Sequence, residues 1–169
     1  MNIIDFALQM ELDGKEFYER SAKETIHPEL KKILLNLAEE EQRHYQFFKR
    51  LKEGQDTIAA AEIESGSPTL DINKTLFRQM AQQGTQAAFG EEARKVWGEA
   101  LKIEEKVEKM YREEAAKEPD AKRQRLLTRI ADEEKSHVYL IDNMLAFMAD
   151  PQGFSNSANY RNFMSFEGH

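Results

Sequence analysis

The chain has no cysteine. That removes disulfide frameworks, CxxC redox pairs and thiolate-held iron–sulfur clusters from consideration. Proline is scarce, with four residues, and glycine contributes only eight of 169. So little helix-breaking sequence in a chain that is one-third charged favours a helix-rich protein. Basic excess is also missing. The net charge of −7 argues against a nucleic-acid partner, which would need a basic face, and leaves attraction of cations open. No apolar run approaches the roughly 18 residues of a membrane span, so no membrane partner is expected. The N-terminal stretch MNIIDFALQMELDGKEF has neither a basic leader nor a long apolar segment, and cytoplasmic location is the default expectation.

What the chain does contain is a repeat. LAEEEQRHYQFF (Leu37 to Phe48) and IADEEKSHVYLI (Ile130 to Ile141) align without a gap at an offset of 93 residues. The alignment extends over residues 7–48 and 100–141. Identical pairs include Ala7/Ala100, Glu11/Glu104, Tyr18/Tyr111, Ala22/Ala115, Leu34/Leu127, Glu41/Glu134 and His44/His137.

Helical periodicity predicts four long helices, over about residues 3–25, 28–53, 91–117 and 120–149. HPEL at 27–30 and KEPDAK at 117–122 separate them into two antiparallel hairpins, with Pro28 suited to a first helical turn. The segment 54–90 is too long for a turn and is expected to cross the length of the bundle, with a short helix over INKTLFRQMAQQ. The expected division is a bundle over 1–149 and a tail over 150–169 that packs as a short terminal element. The tail residues Asn159, Tyr160 and Phe163 suggest no chemistry.

Steps of three and four along the second helix pick out Leu34, Leu37, Glu41, His44, Phe48 and Leu51. Along the fourth they pick out Leu127, Ile130, Glu134, His137, Ile141 and Met144. Each Glu-x-x-His pair thus sits inside an apolar seam. The first helix adds Glu11 between Ala7 and Tyr18, and the third adds Glu104 between Ala100 and Tyr111. At about 1.5 Å per residue, Glu11, Glu41 and His44 should lie about 21–26 Å from the first hairpin turn, at one level. The second hairpin repeats this spacing, so four carboxylates and two histidines should meet in one slab of the core.

Buried carboxylates need protons, cationic side chains or metal ions beside them. The seams offer no Lys or Arg at that level, and two divalent ions would balance four carboxylates. Carboxylate with imidazole suits iron, manganese or zinc. By contrast, Glu24 and His27 share the spacing but lie at a helix break, and are expected to be surface or capping residues. Glu39, Glu40, Asp132 and Glu133 are expected on a solvated face, as are Glu105 and Glu108. Met80, Met144, Met148 and Trp97 are expected in the core.

One Glu from each of two helices, with Glu-x-x-His from each of the other two, is the known ligand pattern of ferritin-like di-iron bundles. With ALQMELDGKEFY, LAEEEQRH, ALKIEEKVEKMY and IADEEKSH, residues 3–149 resemble the rubrerythrin branch of the ferritin-like superfamily. The resemblance implies an all-α, ferritin-like four-helix bundle of two repeated hairpins with a long crossover. It implies two iron ions per chain, replaceable by manganese or zinc, on Glu11, Glu41, His44, Glu104, Glu134 and His137. Glu41 and Glu134 would bridge the ions, and Tyr18 and Tyr111 would bond to ligand carboxylates.

Two departures stand out. Full-length rubrerythrins carry a four-cysteine rubredoxin domain, and this sequence has no cysteine for one. They also carry a further ligand glutamate where this chain has Val107, so the six-residue set is closer to a bacterioferritin-type site. The expected activity is reduction of hydrogen peroxide or dioxygen, with a separate electron-donor protein. One alternative is a ferroxidase or iron-storage protein with ferrous iron as substrate, and another is a bundle that metal only stabilises. A homo-oligomer, at least a dimer, is expected.

Overall fold

The computed structural model describes residues 2–82, 90–154 and 165, and every regular element among them is helical. The long helices are α1 (Ile3–Glu24), α2 (Pro28–Lys52), α5 (Glu91–Lys117) and α6 (Ala121–Ala149). The crossover holds α3 (Asp56–Glu64) and α4 (Leu70–Gln82), and α7 (Pro151–Phe154) follows α6.

Local chemistry sets the helix limits. The Asn2 side chain accepts from the Ile4 backbone N–H and starts α1. Pro28 opens α2, where its missing N–H costs no intrahelical bond. Asp120 caps α6 by accepting from the Arg123 N–H at 2.8 Å. His27 is the residue that precedes α2, in keeping with a place at the break rather than in the core.

α1 packs on α2 and α5 packs on α6, giving two antiparallel hairpins joined by the crossover. The two hairpins are those expected from the repeat, and together they make the ferritin-like helical bundle that the resemblance implies. The expected short helix in the crossover is α4. A second one, α3, was not foreseen; it buries Ala59, Ala60 and Ile63. Arg123 of α6 holds Asp56 at the start of α3 at 2.9 Å. Of the tail, α7 packs Phe154 against Phe77 and Phe147. Asn159, Tyr160 and Phe163 lie outside the described residues.

The apolar core comes in two parts. One gathers Leu30, Leu34, Leu37, Trp97, Met80, Met144 and Met148. The other gathers Ala7, Phe48, Leu51, Val107, Leu126 and Ile130. Leu127, assigned to the fourth seam, is only partly buried, and Leu126 is the residue that enters the core. Between the two apolar parts lies a polar layer.

Candidate metal centre

Glu11, Glu41, His44, Glu104, Glu134 and His137 make up that layer. None is more than 7% exposed. Helical spacing is the reason: each occupies a position that the 3–4 pattern turns inward, so packing the apolar neighbours buries the polar residue with them. Their ligand-type atoms form two overlapping groups, Glu11–Glu41–His44–Glu134 and Glu41–Glu104–Glu134–His137, with all chosen atoms of a group within 4.8 Å of one another. Glu41 and Glu134 belong to both groups.

The geometry follows the repeat closely. His44 Nδ1 lies 2.7 Å from Glu134 Oε1 and 3.4 Å from Glu11 Oε2. His137 Nδ1 lies 3.0 Å from Glu41 Oε1 and 3.4 Å from Glu134 Oε2. The two imidazoles stack with centroids 5.6 Å apart. The tyrosines cross between hairpins: Tyr18 of α1 donates to Glu104 of α5, and Tyr111 of α5 donates to Glu11 of α1.

Whether metal ions fit can be judged from the donor atoms. Glu11 Oε2, Glu41 Oε1, both Glu134 oxygens and the Nδ1 atoms of His44 and His137 are buried without a hydrogen-bond partner. They are close together yet not aligned as donor and acceptor. Buried polar atoms are seldom left this way. Lone pairs converging on a shared point are what a cation requires, so these residues could hold metal.

The electrostatics agree. Burial, and next the charge of Glu134, push the Glu41 carboxyl well above the usual range. The same two causes push Glu104 up to about 8. Burial opposes charge on both histidines, but the neighbouring glutamates outweigh it and hold them well above the ordinary imidazole value. Burial would likewise raise Glu134, yet His44 and His137 outweigh it and hold that carboxyl low. Without metal, the layer is neutralised by protons, which divalent ions would displace. Burial, then the nearby carboxylates, hold the Tyr18 and Tyr111 hydroxyls far from ionisation, so both remain donors.

A family comparison meets this geometry directly, for the Rubrerythrin family model matches residues 2–145. The chain belongs to the rubrerythrin family. Comparison with curated proteins yields no match, and neither does comparison with solved structures. Val107 is buried in the second apolar part of the core.

One expectation is corrected. Glu40 and Glu133 do not face solvent; each is 2% exposed. Glu133 Oε2 lies 2.9 Å from His44 Nε2, on the far side of the ring from the cluster. Arg43 pairs with both Glu133 and Glu40 and donates to the Glu62 carbonyl at 3.2 Å. Glu40 also accepts from Ser67 at 2.9 Å and Thr69 at 2.6 Å. Ser67 and Thr69 of the crossover enclose Glu40, and Arg43 and His44 of α2 enclose Glu133. Glu40, His44 and Glu133 form a third compact group, but Arg43 already supplies its positive charge. A signal was present in the sequence: Glu40 and Glu133 repeat at the same offset of 93 as the seam glutamates. Glu39 and Glu105 are exposed, and Asp132 and Glu108 are half-buried.

Proposed function

We propose that this rubrerythrin is a di-iron redox protein that reduces hydrogen peroxide or dioxygen. Glu11, Glu41, His44, Glu104, Glu134 and His137 would hold the two ions. The observation that supports this most is the set of buried, unpartnered carboxylate and imidazole atoms converging between two apolar layers. Two ferrous ions bound there would supply electrons and polarise an O–O bond.

The chain's own part is positioning. Glu41 and Glu134, common to both groups, suit bridging. Glu11 and Glu104 are each oriented by a tyrosine from the opposite hairpin. Glu133 fixes the ring of His44 through Nε2, leaving Nδ1 for the ion. The apolar layers above and below keep bulk water from the centre. These 169 residues contain no cysteine for a thiolate redox centre, and a separate electron donor would supply repeated turnover.

The test starts from protein purified without oxygen and reconstituted with ferrous iron. About two irons per chain should be retained, from the balance of four carboxylates against divalent charge. One equivalent of hydrogen peroxide should then oxidise both ions, read as a rise in near-ultraviolet absorbance. Loss of all iron on desalting, or retained iron inert to peroxide and oxygen, would rule the proposal out. A ferroxidase would differ in accepting further ferrous iron as its reductant and in forming a large hollow oligomer.

A further inference from the structure

A cavity of about 360 Å³ lies between α1 and α5. Met10, Phe17, Val96, Ala100 and Ile103 give it an apolar lining. At its inner end are Tyr18 and Glu104, so it reaches the polar layer. Glu104 is also the most exposed of the four seam carboxylates, at 7% against 1–3% for the others. Gly14 borders the same cavity, and a Cβ there would stand 2.8 Å from Glu41 Oε2. The partition between the cavity and that carboxylate is therefore bare backbone. At the mouth, Val96 and Ile103 are 44% and 52% exposed, which is unfavourable for large apolar side chains with nothing against them.

The charges around the cavity have one sign. Asp13 and Glu99 stand at the rim, and no Lys or Arg lines it. A neighbouring cavity of about 410 Å³ continues along the same helices past Met10 and Ile103. There Lys106 and Lys109 line the wall, and none of the six cluster residues does. The first cavity is thus distinguished by acidic charge and by contact with the centre. Apolar walls with a few convergent polar groups are the usual form of a small-molecule site.

We propose that the cavity between α1 and α5 binds a small apolar organic molecule with one hydrogen-bond-donating head, placed with the head toward Glu104 at the edge of the metal centre. The acidic rim, Asp13 and Glu99, disfavours a carboxylate head. The length of the cavity along Met10 and Ile103 takes the apolar body. This ligand class rests on the di-metal reading only for what lies beyond Glu104; the cavity and its lining are independent of it.

The experiment uses the full chain loaded with zinc, which is redox-silent, and follows the methyl resonances of Met10 and Ile103. The probes are 4-butylphenol and 4-butylbenzoate, matched in body and opposite in head. The phenol should shift both methyls saturably, and the benzoate should bind at least about tenfold more weakly because of like-charge repulsion. Ile103→Trp at the exposed mouth should weaken phenol binding about tenfold while zinc content stays unchanged. Val96→Trp repeats the test from the other side of the mouth. No saturable shift, equal binding of the two probes, or indifference to both tryptophans overturns the inference. So do methyl shifts that depend on protein concentration and not on phenol, which would assign the face to a second copy of the chain. Zinc content is measured on the same samples. Two zinc ions without phenol binding removes this inference and leaves the metal reading, whereas phenol binding without zinc does the reverse.

Discussion

The two hairpins carry the same residues at the same level and yet support them differently. In α1–α2, His44 has Glu133 behind it, Arg43 joins Glu133 to Glu40, and α3 and the following loop close over both. In α5–α6, the counterpart of Arg43 is Ser136, which donates to the Asp132 carbonyl of its own helix. Ser136 and His137 border a small void of about 10 Å³. Glu40, which the repeat would place behind His137, is held by Arg43, Ser67 and Thr69. The halves differ again at the glutamates: Gly14 leaves room for Glu41, while its counterpart Val107 fills apolar space. The lesson is that the repeat governs what points inward, and the crossover, which occurs once, governs what stands behind it.

The largest expected effect treats both halves as one. Glu41→Ala removes a residue shared by both groups and should abolish binding of both ions, read as metal per chain after desalting. His44→Ala and His137→Ala should each lose one ion and most turnover while the helical circular dichroism is retained. If these three variants keep full metal content, the layer is not a metal centre.

Arg43→Ser makes the first hairpin resemble the second. It leaves Glu40 buried without the cation it pairs with, and leaves Glu133 only Arg129, at 3.7 Å. Burial alone would raise Glu40, and the charge of Arg43 together with the hydrogen bonds from Thr69 and Arg43 outweighs it to hold that carboxyl below its usual value. Losing one partner of a buried pair costs about 3–5 kcal/mol, which denaturant unfolding of the metal-free protein would measure. A change within the error of that measurement would mean that the asymmetry has no energetic weight.

A smaller contrast separates the two outer glutamates. Glu133→Gln should weaken one metal position about 10–100-fold, since it alters the group orienting a ligand imidazole. Glu40→Gln should affect stability and leave affinity nearly unchanged. Competition with a metal chelator distinguishes these outcomes, and equal affinity losses would erase the distinction between the halves.

Smallest is the effect at Gly14. An added methyl group must displace the Glu41 carboxylate, so Gly14→Ala should weaken metal binding about tenfold, within the range seen for residues around a ligand. His27→Ala serves as the zero point, because the same Glu-x-x-His spacing there lies outside the layer. Metal titration of the two variants side by side measures the difference, and identical curves would mean that the cluster has slack at Glu41.

Much of this was legible in the sequence, and the reasons are local. A carboxylate placed at a three-or-four step among Leu, Ile and Ala must enter the core if the helix packs at all, so Glu11, Glu41, Glu104 and Glu134 could be placed by spacing alone. The helix limits were legible because Pro28 and Asp120 act within one turn. Glu40 and Glu133 were not, since they lie one step off the seam and are enclosed by residues distant in sequence, Ser67 and Thr69 of the crossover at Glu40, Arg43 and His44 of α2 at Glu133. α3 escaped notice because AAAEIE carries little amphipathic pattern and nine residues offer few turns in which to show one. Arg43 reads as an ordinary i,i+3 partner of Glu40 until α6 brings Glu133 to it from 90 residues away.

The crossed tyrosines also constrain the order of assembly. Tyr18 reaches Glu104 across 86 positions, and Tyr111 reaches Glu11 across 100. Each hairpin can close from contacts near in sequence, but neither holds more than half of the polar layer. Docking the hairpins is therefore the step that confronts carboxylate with carboxylate, after the cheap loop closures are complete. Ions that recognise only the docked pair would act on that final step, drawing it forward by mass action and slowing its reversal. The centre would then be the last part of the molecule to form and, once loaded, the latch that keeps its two halves together.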